Sequence, residues 1–320
     1  VNVAVLGLGF MGAAHVKAWG AHLAGVMSSH PAKRSGDLSL VGGNLGLPGE
    51  HFDFSAVRRF ETVEAALADP GIDAADICLP TDLHASIAIA ALRAGKHVLV
   101  EKPMALDFAA AETMRAEADR AGRILMAGHV LRFIPAYQAL KNSTPPRITS
   151  ATFRRQCAEP AWGGWLPDRK RSGGAVLDLL IHDIDYCISL WGMPQSVHAI
   201  AETGPGEVLK ARLTYPGQGP VDIVGGWHAV EGFPFSMGFT VTSDAGVCEW
   251  THPAQVMTVN GAEVPLPDAD PFAAELAYFA DCVAANRQPD LCPSEQSAQA
   301  VALARFILES RDQHREIPTI

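Results

Sequence analysis

The chain has 320 residues, long for one hydrophobic core and fitting two domains of about 150 residues each. Hydrophobic residues make up 48% and charged ones 19%, so enough apolar surface can be buried to offset the entropy of ordering, and disorder is excluded. Twenty-five Lys plus Arg against 35 Asp plus Glu leave a net charge of −10, without the basic footprint that nucleic acid requires.

From the N-terminus, short β-branched runs at 3–6, 22–27, 75–79, 97–100 and 124–127 alternate with Ala-rich helical patterns at 11–19, 62–68, 83–94 and 108–121. That alternation predicts βαβ units and a parallel sheet. The Gly- and Ser-rich segment 28–53 reads as a long irregular connection. Beyond Pro145 and Pro146 the texture becomes alternating runs at 148–154, 197–201, 210–215, 221–227, 237–242 and 247–250, the pattern of a mostly antiparallel sheet with one covered face. Helices are predicted at 175–190, 271–285 and 294–310. The fold class is therefore α/β, with an N-terminal domain at 1–127 and a C-terminal α+β domain at 128–320 built on a large open sheet. No apolar run approaches the roughly 20 residues that cross a bilayer. Six cysteines without a C-x-x-C pair point to a reducing compartment, and the opening residues carry no charged and apolar leader, so the cytoplasm is the expected location.

Gly7-Leu8-Gly9-Phe10-Met11-Gly12 follows the first strand and opens the first helix. In that context G-x-G-x-x-G is a dinucleotide fingerprint, with glycines at the tight turn, at the pyrophosphate approach and at the helix–strand contact. The acidic residue expected about 20 positions later for a ribose 2′-hydroxyl is replaced by Ser28 and Ser29, with Lys33 and Arg34 following. Hydroxyls and cations there suit a 2′-phosphate, which favours NADP over NAD. Pro80, Thr81, His84, Glu101 and Lys102 end two further strands and are expected in the cofactor crevice, because open α/β sheets bind ligands beyond the carboxyl ends of their strands.

On the predicted helix after Gly173-Gly174, residues Asp178, His182 and Asp185 recur at i, i+4 and i+7 and are read as sharing one face, opposite Leu177, Ile181, Ile184 and Ile188. A carboxylate one turn from an imidazole suits proton exchange with an alcohol. Three acidic or imidazole groups on one helix, with no neighbouring Cys or second His, make a poor metal site, so no metal is expected. Arg132 can hold a substrate carboxylate or hydroxyl, or serve an interdomain ion pair. Trp162 and Trp165 are candidate platforms for a sugar ring or half-buried structural residues, and Arg171 is a candidate substrate cation or a solvated charge.

Taken together, the glycine fingerprint, the 94–103 run ending in Glu101-Lys102-Pro103, the Gly128-His129-Val130-Leu131-Arg132-Phe133 segment and the Gly173-to-Asp185 segment resemble the Gfo/Idh/MocA family of glucose-fructose oxidoreductase and inositol dehydrogenase. The resemblance covers essentially the whole chain. It implies a Rossmann domain followed by an α/β domain, and a nicotinamide-dependent oxidoreductase acting on a sugar, polyol or related compound. It also implies Lys102, Asp178 and His182 as the catalytic group, and a homodimer or homotetramer joined through the open face of the C-terminal sheet. Family members that use NAD tend to carry an acidic residue where Ser28 stands. Two other readings fit the residues: a redox-neutral enzyme that uses NAD transiently, and a cofactor-binding sensor without turnover.

Overall fold

A computed structural model describes residues 1–43, 49–145, 147–161 and 164–319. The chain forms two compact units, the first made of Val1–His129, Trp162–Leu166 and Phe272–Ala298, the second of the remaining segments. In chain order the first unit contains β1 (Val3–Leu6), α1 (Phe10–Trp19), β2 (Leu23–Met27), the single turn α2 (Pro31–Arg34), β3 (Arg58–Phe60), α3 (Val63–Ala68), β4 (Ala74–Ile77), α4 (His84–Arg93), β5 (His97–Glu101), α5 (Phe108–Ala121) and β6 (Leu125–Gly128). The strands pair in the order β3-β2-β1-β4-β5-β6, every neighbour parallel. β1, β4, β5 and β6 are buried throughout, as continuous apolar runs covered on both faces must be. Helix ends follow local chemistry. Asp107 caps α5 by accepting from the Ala110 N–H at 2.8 Å, and Gly122 closes it at φ +60°.

The second unit contains α6 (Pro135–Ser143), β7 (Ser150–Ala158), the short α7 (Arg169–Ser172) and α8 (Ile181–Trp191). It continues with β8 (Ser196–Ala201), β9 (Gly206–Thr214), β10 (Val221–His228), β11 (Ser236–Ser243), β12 (Gly246–Thr251), β13 (Val256–Val259) and β14 (Ala262–Pro265). After these strands come α9 (Pro271–Ala284), which from Phe272 on belongs to the first unit, α10 (Ser294–Gln313), in the second unit from Gln299, and β15 (Ile317–Pro318), also in the second. The nine strands run β14-β13-β12-β11-β7-β10-β9-β8-β15, antiparallel except for the central β7–β10 pair. An aromatic layer fixes α8 on one face of this sheet: the Tyr186 ring meets Tyr137 edge-on at 4.7 Å and Phe153 at 5.8 Å, while Tyr137 meets Phe239 and Trp250. No helix among the described residues is long and apolar enough to cross a membrane.

Several expectations change. Segment 28–53 holds one helical turn, α2, and the 128–320 sheet gains β13, β14 and β15. The cut at 127 assigns 271–298 to the second domain, yet Phe272–Ala298 belong to the first unit. The reason is packing, since Phe279 lies edge-on to Trp19 and Phe272 lies beside His15, both pairs 6.3 Å apart. The helix predicted over 175–190 begins as a π turn, Val176–Leu180, before α8 takes over. Asp178 and His182 are both half-buried, but Asp185, three residues after His182 on the regular helix α8, does not share their exposure.

Asp185 is instead wholly buried and gripped bidentately by Arg132, at 2.8 and 2.7 Å. Asp183, equally buried, takes Arg155 Nε at 2.7 Å. Removing one member of such a pair strands a charge in the interior. Arg155→Ala is therefore expected to destabilise the protein by about 3–5 kcal/mol, read as a lower urea midpoint at unchanged slope; a loss under about 1 kcal/mol would show that the pair does not anchor α8.

Candidate active site

The glycine-rich turn is divided between packing and access. A Cβ on Gly12 would lie 1.9 Å from the Gly7 carbonyl oxygen, and one on Gly7, at φ +102°, would lie 2.6 Å from the Cys78 oxygen. Only glycine fits at either position. A Cβ on Gly9 meets nothing within 4 Å. Gly9 therefore leaves open space at the N-terminus of α1, where unpaired helix N–H groups and the helix dipole favour an anion. This arrangement fits a dinucleotide pyrophosphate, with Phe10 and Met11 half-buried beside it.

At the carboxyl end of β2, Ser28 is buried and Ser29 exposed. Arg34 Nη1 donates to the Ser28 carbonyl at 2.6 Å, and its Nη2 lies 3.8 Å from the exposed Glu61 carboxylate. Lys33 is half-buried on the same turn. At the ends of β4 and β5, Thr81 is buried and Pro80 half-buried, and both ring nitrogens of the buried His84 lie 2.8 Å from carbonyls, of Pro103 and Leu79. Burial holds the His84 imidazole below its ordinary pKa. His84 thus ties the chain before α4 to the turn that carries Lys102. Lys102 is half-buried, and its backbone N–H donates to Glu101 Oε2 at 3.1 Å.

Beneath this turn lies a cluster that the sequence reading does not contain. His15 Nδ1 is 2.8 Å from Asp76 Oδ2, His15 Nε2 is 3.1 Å from Glu101 Oε1, and Trp19 Nε1 donates to Asp76 at 2.7 Å. Cys78 Sγ lies within 3.5 Å of both His15 and Asp76. Burial by itself would lower the His15 pKa, but the Asp76 carboxylate and Cys78 override it and hold the imidazole well above the ordinary histidine value. For Glu101 burial acts upward, and the hydrogen bond and charge of His15, with Lys102 behind them, bring the carboxyl below its usual range. The cue was an Asp inside the apolar run Ala74-Ala75-Asp76-Ile77.

In the second unit Gly173 and Gly174, at φ +80° and +75°, lead into the π turn. Glu207 caps it from β9: its Oε2 accepts from the Ala175 N–H at 3.1 Å, while Arg169 and Arg311 hold the carboxylate at 3.1 and 3.2 Å. Asp178 lies within the turn and His182 at the start of α8, both half-buried amid wholly buried Leu177, Ile181 and Asp183. Arg132 serves the buried pair with Asp185, inside the second unit. Trp165 and Arg171 are half-buried. Trp162 lies outside the described residues.

Residues 1–129 match the oxidoreductase family with an NAD-binding Rossmann fold, GFO/IDH/MocA, and residues 138–259 match the GFO/IDH/MocA C-terminal domain. This chain belongs to that family. It is 35% identical to 1,5-anhydro-D-fructose reductase of Ensifer adhaerens over 134 residues, 40% of each chain. It is 30% identical to UDP-N-acetylglucosamine 3-dehydrogenase of Acidithiobacillus ferrooxidans over 222 residues. The second match covers 67% of this chain and 63% of the relative, so less than two thirds of either relative's length is spanned. A solved levoglucosan dehydrogenase in complex with NADH and L-sorbose shares the fold, with a TM-score of 0.83 at 18% identity, covering 100% of this chain and 99% of that one.

The two halves of the glycine turn separate in mutagenesis. Gly12→Ala is expected to prevent folding or lower the melting temperature strongly. Gly9→Ala should fold normally but weaken NADPH binding about tenfold or more, measured by nucleotide fluorescence titration; unchanged affinity would remove the turn from the cofactor site.

Proposed function

We propose that this GFO/IDH/MocA protein is an NAD(P)-dependent dehydrogenase or reductase acting on a hydroxyl or carbonyl carbon of a sugar, polyol or related small molecule. The observation that carries the reading is the pairing, on one parallel sheet, of an open glycine turn at Gly9 with Lys102 at the carboxyl end of β5. Open α/β sheets hold their ligands at that end. The relatives named as sugar reductase and sugar dehydrogenase support the substrate class.

When bound, the dinucleotide supplies the nicotinamide carbon that accepts or returns a hydride. His182 takes the hydroxyl proton in oxidation and returns it in reduction. Lys102 stabilises oxyanion character as it develops on substrate, and Asp178 orients the imidazole or holds a substrate hydroxyl. Trp165, Trp162 and Arg171 remain candidates for contacts with the sugar. We infer that NADP is preferred over NAD, because Arg34 is fixed at the end of β2, where Ser28 and Ser29 replace an acidic residue. Homodimers or homotetramers joined through the open face of the nine-stranded sheet, and a cytoplasmic location suited to six free thiols, complete the proposal.

A screen of ketoses, keto-inositols and dicarbonyl sugars in both directions with both coenzymes tests the activity, and tight NADPH binding without turnover of any compound would sink it. His182→Ala is expected to lower kcat by about 10²-fold or more, with near-normal turnover removing His182 from the proton transfer. Arg34→Ala should raise KM for NADPH about tenfold while leaving KM for NADH near its starting value; equal effects on both would remove the 2′-phosphate role.

A further inference from the structure

The proposed mechanism leaves His15 unused, although it lies in the middle of a buried chain of charge. Its ring is inaccessible, and each nitrogen faces a carboxylate oxygen, Asp76 on β4 at 2.8 Å and Glu101 on β5 at 3.1 Å. Ionised carboxylates only accept hydrogen bonds, and a neutral imidazole has one N–H to give. The Nδ1 contact is a hydrogen bond, whereas Nε2 approaches Glu101 at ion-pair distance without hydrogen-bond alignment, so it is as a cation that the ring serves both carboxylates. The remaining contacts are consistent with two charged acceptors: the Trp19 indole N–H donates to Asp76, and the Lys102 backbone N–H donates to the second oxygen of Glu101. The far side of the ring is closed by Phe272, 6.3 Å away.

We propose that His15 is a positioning residue for Lys102, its imidazolium locking the Glu101 carboxylate to Asp76 so that Glu101 can hold the Lys102 backbone in place. His15 belongs to α1, the helix whose first turn is built for the dinucleotide, and Glu101 is the last residue of β5. One side chain therefore connects the cofactor helix to the residue assigned to the reacting oxygen. Without it, Glu101 keeps a buried charge and loses its closest cation. The Lys102 ammonium, whose charge already acts on Glu101, is then drawn further toward that carboxylate and away from substrate.

This inference rests on the proposed dehydrogenase function, and its test includes an arm independent of turnover. Wild type and His15→Gln, each checked for native circular dichroism, are reductively methylated with formaldehyde and cyanoborohydride, with the rate at each lysine followed by peptide mass spectrometry. The rate at Lys102 is expected to fall about threefold or more, as when a carboxylate draws in an ammonium and holds it protonated, while the rate at the exposed Lys210 stays constant. On a compound turned over by wild type, kcat should fall about 10- to 100-fold, with the affinity for NADPH changed by less than about threefold. A purely structural role would lower the melting temperature and leave both the Lys102 rate and the kcat of folded protein unchanged, and that result overturns the proposal. A loss of kcat with an unaltered Lys102 rate overturns it as well. If wild type turns over no compound, the functional reading fails and the methylation rates still decide the role of His15. Should His15→Gln not fold, Glu101→Gln, which keeps the shape and removes the charge that His15 holds, is methylated in the same way: with no carboxylate left to balance the ammonium, the rate at Lys102 is expected to rise about threefold or more, and an unaltered rate overturns the proposal.

Discussion

A carboxylate can be kept inside a protein only if a cation and hydrogen-bond donors meet it there, and both units of this chain are organised around that requirement. In the first, Asp76 and Glu101 share His15, with Trp19 and the Lys102 amide filling further acceptor positions. In the second, Asp183 and Asp185 each take an arginine. Such pairs add little net stability compared with a well-packed apolar core, but they admit few arrangements. Two of these arrangements fix a residue next in sequence to a group assigned to chemistry: Glu101 precedes Lys102, and Asp183 follows His182. Geometry that must be held within a fraction of an ångström is thus referred to interior contacts rather than to solvent-exposed loops.

The π turn serves the same end differently. Its N-terminus is capped from a distant strand by Glu207, itself held by two arginines, and its C-terminus runs into α8, which the aromatic layer of Tyr137, Tyr186 and Phe153 fixes to the sheet. Between these two anchors Asp178 and His182 keep partial solvent access while their neighbours are wholly buried. A regular α-helix would have met the same pattern of apolar residues, which is why the departure is local.

Legibility in the sequence followed the range of the interactions. Helix α5 was predicted over its full span, because Asp107 and Gly122 mark its ends within the local sequence. The glycine turn was legible for the same reason. Strands β13 and β14 were missed because each has only four residues and β14 is exposed throughout, so no alternation announces them beyond the Asn260-Gly261 turn. The π turn leaves no trace in an apolar pattern, since it is a matter of which carbonyl each N–H selects. The buried pairs were out of reach for another reason: Asp76 and His15 are 61 residues apart, and Arg155 and Asp183 are 28 apart. A charged residue inside an apolar strand says that a partner exists and not which one.

The first unit closes with residues that the chain supplies late. Trp19 and His15 are covered by Phe279 and Phe272, which lie more than 250 residues downstream of them. During synthesis the parallel sheet can form and pair as its own segments emerge, but the side of α1 that carries His15 stays uncovered until nearly the whole second unit has been made. The order of assembly is therefore imposed by covalent connectivity: the amino-terminal half is first to appear and among the last to be finished. A fragment cut at the apparent domain boundary would keep every strand of its sheet and still lack part of its own wall.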